Sequence, residues 1–210
     1  MEEQRVASDK KGAQDQAATI VFVDECGFSQ TPYVPRTWSP RGLTPLLFHW
    51  FERKRLNTIC AIECKPDGSE PDVLFYMQPQ NIRSESIIDF LYALHQEIPG
   101  RIVLLWDGYS SHKSKIVKEH IASQSDWLTV RRFPAYAPEL NPAEYMFSAL
   151  KKKDTAGFCA DHVAQISDRL EQAAERIGQN EQIMQGFLKA SGLLDFRNVE
   201  SLADTQRLAA

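Results

Sequence analysis

The chain of 210 residues has no apolar run close to the roughly 20 residues that span a bilayer, so we expect no transmembrane helix. Its first part is polar up to about Ala18, and we therefore expect no secretory signal peptide. Glycine and proline are scarce, at 10 and 11 residues, which excludes fibrous and low-complexity chains. The four cysteines include no CxxC pair and no zinc-ligand spacing, which predicts reduced thiols.

The chain also has no excess of positive charge, because it contains 24 Lys and Arg residues and 28 Asp and Glu residues, for a net charge of -4. This balance argues against a protein that coats DNA without sequence preference. The basic residues are nevertheless concentrated in two segments, 31–56 and 101–153, and each has a net charge of +4. An anionic partner that contacts only these segments is compatible with the sequence, and so is an ordinary solvated surface.

Hydrophobic patterning predicts several strands followed by alternating helices and strands. Apolar, β-branched runs predict strands at 20–23, 46–50, 57–64, 73–77, 101–107 and 127–133. Helical periodicity and capping residues predict helices at 84–98, 114–122, 141–152, 161–177 and 180–190. This order indicates an α/β fold with a mixed sheet flanked by helices. We predict a mobile arm over 1–18, one domain over 19–195 and a tail over 196–210.

Three carboxylates occupy positions at which chemistry is expected. Asp24 and Asp107 each end an apolar strand, and Glu144 lies in the first turn of a helix that begins at Asn141. If the strands are neighbours and the helix packs over their ends, the three side chains converge at one sheet edge. Such a cluster suits one or two Mg²⁺ ions. Each acid also has a structural alternative, namely a turn for either aspartate and a capping box for the glutamate.

The segments around these acids resemble the catalytic domain of DDE-type transposases, in the bacterial insertion-sequence branch of the mariner superfamily. Four collinear blocks within about 20–153 carry the resemblance: VFVDECGF, PRTWSPRGLTP, IVLLWDGYSSHKS and RRFPAYAPELNPAEYMFSALKK. It implies an RNase H-like fold with a central mixed five-stranded sheet flanked by helices. It also implies metal-dependent DNA strand cleavage and strand transfer, with Asp24, Asp107 and Glu144 as catalytic residues that hold two Mg²⁺ or Mn²⁺ ions.

Three residues beside the implied triad bear on how it works. The family commonly has Asn after its second aspartate, where this chain has Gly108, and the missing amide is expected to reduce activity. The family also commonly has Trp three positions after its glutamate, where Phe147 is a tolerable exchange within a core. Glu25 follows Asp24 but alternates to the opposite face of the strand, which favours a structural role.

Basic and aromatic residues near the triad are candidate DNA contacts, namely Arg36, Trp38, Arg41, His112, Lys113, Lys151 and Lys152. In the Pro-rich loop, the two arginines suit phosphates and the indole of Trp38 suits a base, although this side chain has the alternative of packing on the sheet. His112 has three open roles: orienting a phosphate, orienting a carboxylate or capping the next helix. The lysines end a helix, where they oppose its dipole with or without DNA.

The resemblance implies DNA as the partner, both as transposon ends and as target, with a homodimer on paired ends and no membrane. Only about 19 residues precede the first catalytic strand, so we expect that a separate DNA-reading domain or frame is missing here. The expected location is the bacterial cytoplasm, in association with the nucleoid. Two alternatives stay open. One is a catalytically silent, DNA-associated or partner-binding relic of a transposase, and the other is a nuclease that acts on RNA–DNA hybrids.

Overall fold

The computed structural model describes residues 18–49, 54–134 and 136–192. Within these ranges the chain forms five strands: β1 Thr19–Ser29, β2 Arg55–Cys64, β3 Asp72–Gln78, β4 Ile102–Trp106 and β5 Leu128–Arg132. It also forms five α-helices: α1 Ser84–Glu97, α2 Lys115–Ser123, α3 Pro142–Ala149, α4 Val163–Gly178 and α5 Glu181–Ser191. Short 3₁₀ turns lie at Ser111–Lys113 and Pro138–Leu140, and a π-helical turn, Leu150–Asp154, extends α3.

The strands form one mixed sheet in the order β3-β2-β1-β4-β5, which confirms the predicted five-stranded sheet flanked by helices. The first three strands are an antiparallel meander, whereas β4 pairs parallel with β1 and with β5. Phe22 of β1 pairs with Leu105 of β4. Two residues further along both strands, this register brings Asp24 level with Asp107. The carboxyl ends of these neighbouring parallel strands therefore meet at one edge of the sheet.

Side chains alternate between the two faces of the sheet and build a core on each. On one face, Ile20 and Phe22 of β1 pack with α3, α4 and α5, and we call this the α3 face. On the other face, Val21 packs with α1 and α2, and we call this the α1 face. Because the alternation continues along β1, Asp24 lies on the α3 face and Glu25 on the α1 face.

Two strand predictions differ from the structure. The strand predicted at 46–50 is not formed, because residues 30–49 make a long loop whose apolar side chains are largely exposed, and residue 50 lies outside the described residues. The first strand does not end at Asp24, because β1 continues to Ser29 by pairing with β2. The parallel pairing of β1 with β4 ends at Phe22, two residues before Asp24.

The remaining sequence expectations concern the ends of the chain and the cysteines. The predicted arm over 1–18 and tail over 196–210 lie outside the described residues, except for residue 18. All four cysteines are free thiols, as expected. Among the described residues, no helix has the length and apolar character required to cross a membrane.

Candidate active site

Asp24 and Asp107 lie side by side at the sheet edge. Asp107 directly follows β4, and Asp24 is level with it on the adjoining strand. Backbone amides hold both carboxylates, since the N–H of Glu25 donates to Asp24 at 2.9 Å and the N–H of Tyr109 donates to Asp107 at 2.8 Å. The structure therefore brings together the two acids that the sequence singled out.

Helix α3 brings Glu144 toward this pair, and one buried side chain fixes where the helix starts. The Oδ1 atom of Asn141 accepts the N–H of Ala143 at 3.1 Å, which caps the helix. Its Nδ2 atom donates to the carbonyl of Val23 at 3.2 Å, one residue before Asp24. The same amide thus starts α3 and ties it to β1. The backbone N–H of Asn141 donates to the carbonyl of Pro138 at 3.0 Å, so the Glu144 carboxylate does not close a capping box and is left for the site.

The charges of the three acids are crowded together. Burial and then the negative charge of Glu144 raise the pKa of Asp24 to about 8. Asp107 differs, because a hydrogen bond from His112 and another from the N–H of Tyr109 hold its pKa below the ordinary value. A divalent cation would offset both the burial and the negative charge of Glu144 that raise the pKa of Asp24. Three carboxylates are a donor set that suits Mg²⁺ or Mn²⁺, so these residues fit a hard cation.

Among the described residues, the potential metal-ligand atoms that all lie within 4.8 Å of one another belong to Glu25, Asp107 and His112, and not to the triad. The geometry of this group is that of a hydrogen-bonded relay. Glu25 lies 2.7 Å from Nε2 of the imidazole, whereas the Asp107 carboxylate lies 3.1 Å from Nδ1. Because the two carboxylates face opposite nitrogens of one ring, a single ion cannot replace both contacts. The better candidate for a cation is therefore the triad.

His112 is buried, with 1% of its surface exposed, and its ring stacks on Trp106 at 4.0 Å between centroids. Burial lowers the pKa of His112, but its hydrogen bonds to Asp107 and Glu25 outweigh this effect and raise the pKa to about 9. Of its three open roles, the structure selects contact with a carboxylate, because Ser114 caps α2 instead. With its ring buried and both nitrogens engaged, His112 is not placed to contact DNA, contrary to the sequence-based expectation.

The other candidate DNA contacts are at the surface. Arg36, Trp38 and Arg41 are exposed in the loop 30–49. Trp38 is 100% exposed, so the alternative that it packs on the sheet is wrong. Lys151 and Lys152 belong to the π-helical turn after α3, a type of irregularity that is frequent at functional sites.

Two of the lysines lie beside the carboxylates. Burial raises the pKa of the Cys26 thiol, and the ammonium of Lys151 partly offsets this, which places Lys151 on the α3 face near Asp24. On the other side, a Cβ atom at Gly108 would lie 3.2 Å from Nζ of Lys113. The lysine thus occupies the space in which a larger side chain at position 108 would begin. The ammonium of Lys113 therefore lies next to Asp107, near the position at which the resemblance predicts the side-chain amide of an asparagine.

The pKa values of Asp24 and His112 predict that the metal-free protein loses stability as the pH rises. In the folded state the pKa of Asp24 is about 8 against an ordinary 3.8, and that of His112 is about 9 against 6.5. The stabilisation by protonated Asp24 is lost as the pH rises from 3.8 to about 8, and that by protonated His112 as the pH rises from 6.5 to about 9, so both losses occur between pH 6.5 and about 8. We expect the Tm to fall across this window in EDTA, and Mg²⁺ to restore it at pH 8.5. Scanning fluorimetry checks this, and a constant Tm would contradict it.

Two contributions were not predicted from the sequence. Asn141 is identifiable only as a helix cap, because its bond to Val23 requires the tertiary structure. Strand alternation predicted only a structural role for Glu25 on the opposite face of β1. In the structure its carboxylate contacts Nε2 of His112. One feature of the sequence could have indicated this contact. Residues just past the ends of neighbouring parallel strands lie close together, so Glu25, after Asp24, and His112, five positions after Asp107, were candidates for a contact.

A mixed sheet of this order flanked by helices defines an RNase H-like fold, and Asp24, Asp107 and Glu144 are its candidate site acids. The family follows from the sequence, because the model of the DDE superfamily endonuclease matches residues 19–163. The chain belongs to that family. No curated protein sequence is similar enough to the chain to count as a match.

Solved structures of Mos1 transposase share this fold. The chain is similar to Mos1 transposase in a paired-end complex with the left transposon end, with a TM-score of 0.63 and 17% identity over 92% of this chain and 57% of that one. It is also similar to the catalytic domain of Mos1 mariner transposase, with a TM-score of 0.54 and 16% identity over 85% of this chain and 78% of that one. The chain thus spans 57% of the length of the Mos1 chain in the paired-end complex.

Proposed function

We propose that this chain is the catalytic domain of a DNA transposase from the bacterial insertion-sequence branch of the mariner superfamily. The proposal is supported by the register of β1 with β4 and by the effect of the Glu144 and Asp107 charges on Asp24, in a member of the DDE endonuclease family. The blocks RTWSPRG and YAPELNPAE support the branch. In this proposal residues 19–195 form the catalytic domain, and the protein works on the bacterial nucleoid in the cytoplasm.

The three carboxylates would hold two Mg²⁺ or Mn²⁺ ions. Bound ions of this kind activate an attacking water or 3′-hydroxyl and stabilise the leaving oxygen of a phosphodiester. The chain itself contributes the arrangement of the ligands. Asn141 holds α3 against β1, burial keeps Asp24 out of bulk water, and two donors orient Asp107. These features prepare the carboxylates for cation binding before DNA arrives.

DNA would be held across the site by cationic side chains on both sides of it. Lys113 lies beside Asp107, and Lys151 lies on the α3 face near Asp24. Arg36 and Arg41, which are exposed on the long loop, would reach phosphates farther away. Such contacts carry little sequence information, and they make binding salt-dependent. We therefore assign recognition of the transposon ends to a separate DNA-reading domain, with two copies acting on paired ends.

The first test is nicking of supercoiled plasmid by the purified protein at low salt in Mn²⁺. We expect conversion to the open-circular form with the wild type, and none in EDTA. We also expect none with Asp107→Asn, because the amide removes one negative ligand from the cation site. Gel electrophoresis over time gives the rate.

Circular dichroism must show that both proteins are folded, and electron paramagnetic resonance of free Mn²⁺ measures metal binding separately. A folded wild type that neither nicks plasmid nor binds Mn²⁺ would contradict the proposal and favour a silent relic. Nicking by Asp107→Asn at the wild-type rate would show that Asp107 is not a catalytic residue. A gapped RNA–DNA hybrid serves as competing substrate, and faster cleavage of the hybrid than of plasmid would favour the hybrid nuclease.

A further inference from the structure

We infer that Glu25 and His112 form a relay that positions the Asp107 carboxylate for cation binding. The inference rests on the proposed function, because it assigns the relay to the same site. Neither residue belongs to the triad, and both lie on the α1 face, behind the sheet edge that carries it. They are positioning residues, since they act through Asp107.

The relay joins three separate parts of the fold. Glu25 comes from β1, His112 from the 3₁₀ turn Ser111–Lys113, and Asp107 from the end of β4. Nε2 of His112 lies 2.7 Å from the Glu25 carboxylate, and Nδ1 lies 3.1 Å from the Asp107 carboxylate and 3.3 Å from the backbone carbonyl of the same residue. The ring plane is fixed as well, because the imidazole lies nearly parallel to Trp106, at an angle of 3°. A rigid ring thus connects β1 with the residue after β4.

Asp107 needs such support more than its neighbours do. Its side chain is 53% exposed, whereas the side chains of Glu25 and His112 are 14% and 0% exposed. It follows the last strand residue and precedes Gly108, so packing alone does not restrict its rotamer. Ligating carboxylates depend on such hydrogen bonds from residues behind them, and loss of one commonly weakens metal binding about 10- to 100-fold. The less exposed side chains of Glu25 and His112 therefore restrict the orientation of the half-exposed Asp107 carboxylate.

The two ring nitrogens provide a way to separate positioning from packing. Nδ1 faces Asp107 and Nε2 faces Glu25. Asparagine places its amide near the position of Nδ1, whereas glutamine places its amide near Nε2. His112→Asn therefore keeps a donor for Asp107, and His112→Gln loses it. Both variants lose the stacking on Trp106 and the positive charge to the same extent, so they are matched controls for each other.

The experiment measures Mn²⁺ binding to the full chain by electron paramagnetic resonance, together with the metal dependence of plasmid nicking. We expect His112→Gln to weaken Mn²⁺ binding about tenfold and His112→Asn to stay within about threefold of the wild type. The metal concentration for half-maximal nicking should shift by the same factors. Glu25→Gln, which leaves His112 and Asp107 in place, should weaken binding by a smaller factor. The exposed His162→Gln should change nothing.

Equal weakening by the asparagine and glutamine variants would overturn the inference, because a packing role alone predicts it. Unchanged Mn²⁺ binding in both variants would overturn it while leaving the proposed function intact. A wild type that binds no Mn²⁺ would overturn both. If the His112 variants fail to fold, Glu25→Gln decides, since binding equal to that of the wild type would then overturn the relay.

Discussion

Asp24→Asn is expected to abolish metal-dependent DNA cleavage and, at the same time, to stabilise the metal-free protein above neutral pH. Burial and Glu144 make the ionised form of Asp24 costly in the folded state, which is why its pKa rises to about 8. An amide has nearly the same shape and no charge, so it removes this cost. It also removes a ligand, and loss of one essential acid commonly lowers the rate by about 10³-fold or more.

Two measurements test this pair of effects. Plasmid nicking in Mn²⁺ gives the rate, and the Tm in EDTA at pH 8.5 gives the stability. We expect a rise of at least about 2–4 °C, which corresponds to about 1 kcal/mol in a domain of this size. Asp168→Asn, on the exposed surface of α4, is the matched control and should change neither quantity. A lower Tm for Asp24→Asn would show that the carboxylate supports the fold rather than straining it.

The second large effect is expected for Asn141→Ala, at the start of α3. The substitution removes the helix cap, which costs about 1 kcal/mol, and the buried bond to Val23, which costs about 1–1.5 kcal/mol. We expect the free energy of unfolding to fall by about 2–2.5 kcal/mol. Glu144 then loses its fixed distance from β1, so Mn²⁺ binding should weaken about tenfold.

Asn180→Ala is the control for this prediction. Asn180 caps α5 through a similar bond, from the N–H of Ile183 at 3.1 Å, but it is exposed and distant from the triad. Its loss should cost only about 1 kcal/mol and leave Mn²⁺ binding unchanged. Urea unfolding gives the two free energies. If both substitutions cost the same, the tie between α3 and β1 has no energetic role.

The sequence predicted those features that depend on local patterns. Helix α3 begins where Asn141 and a following proline indicated, and α2 begins after Ser114, because capping is a property of a few consecutive residues. Strands β2 and β3 lie where the apolar runs at 57–64 and 73–77 indicated. Two candidate acids were identified because each follows a buried apolar run.

Features that depend on distant parts of the chain were not predictable in the same way. The apolar residues at 46–49 suited a strand by composition, but strand formation requires a pairing partner, and the loop has none there among the described residues. Packing of Trp38 on the sheet was an open alternative because large apolar side chains are usually buried, but this side chain is fully exposed. The role of His112 depends on its distances to two carboxylates on different strands, and no local pattern encodes these distances.

The tie between Asn141 and Val23 also has a consequence for the way the protein is synthesised, since it joins positions 118 residues apart. The ribosome delivers Asp24 and Asp107 before α3 exists. At about 5–20 residues per second, the growing chain carries two acids without the third for about 2–7 s. An unfinished polypeptide released during that interval cannot assemble the triad. The proposed activity therefore requires a chain that extends beyond Glu144.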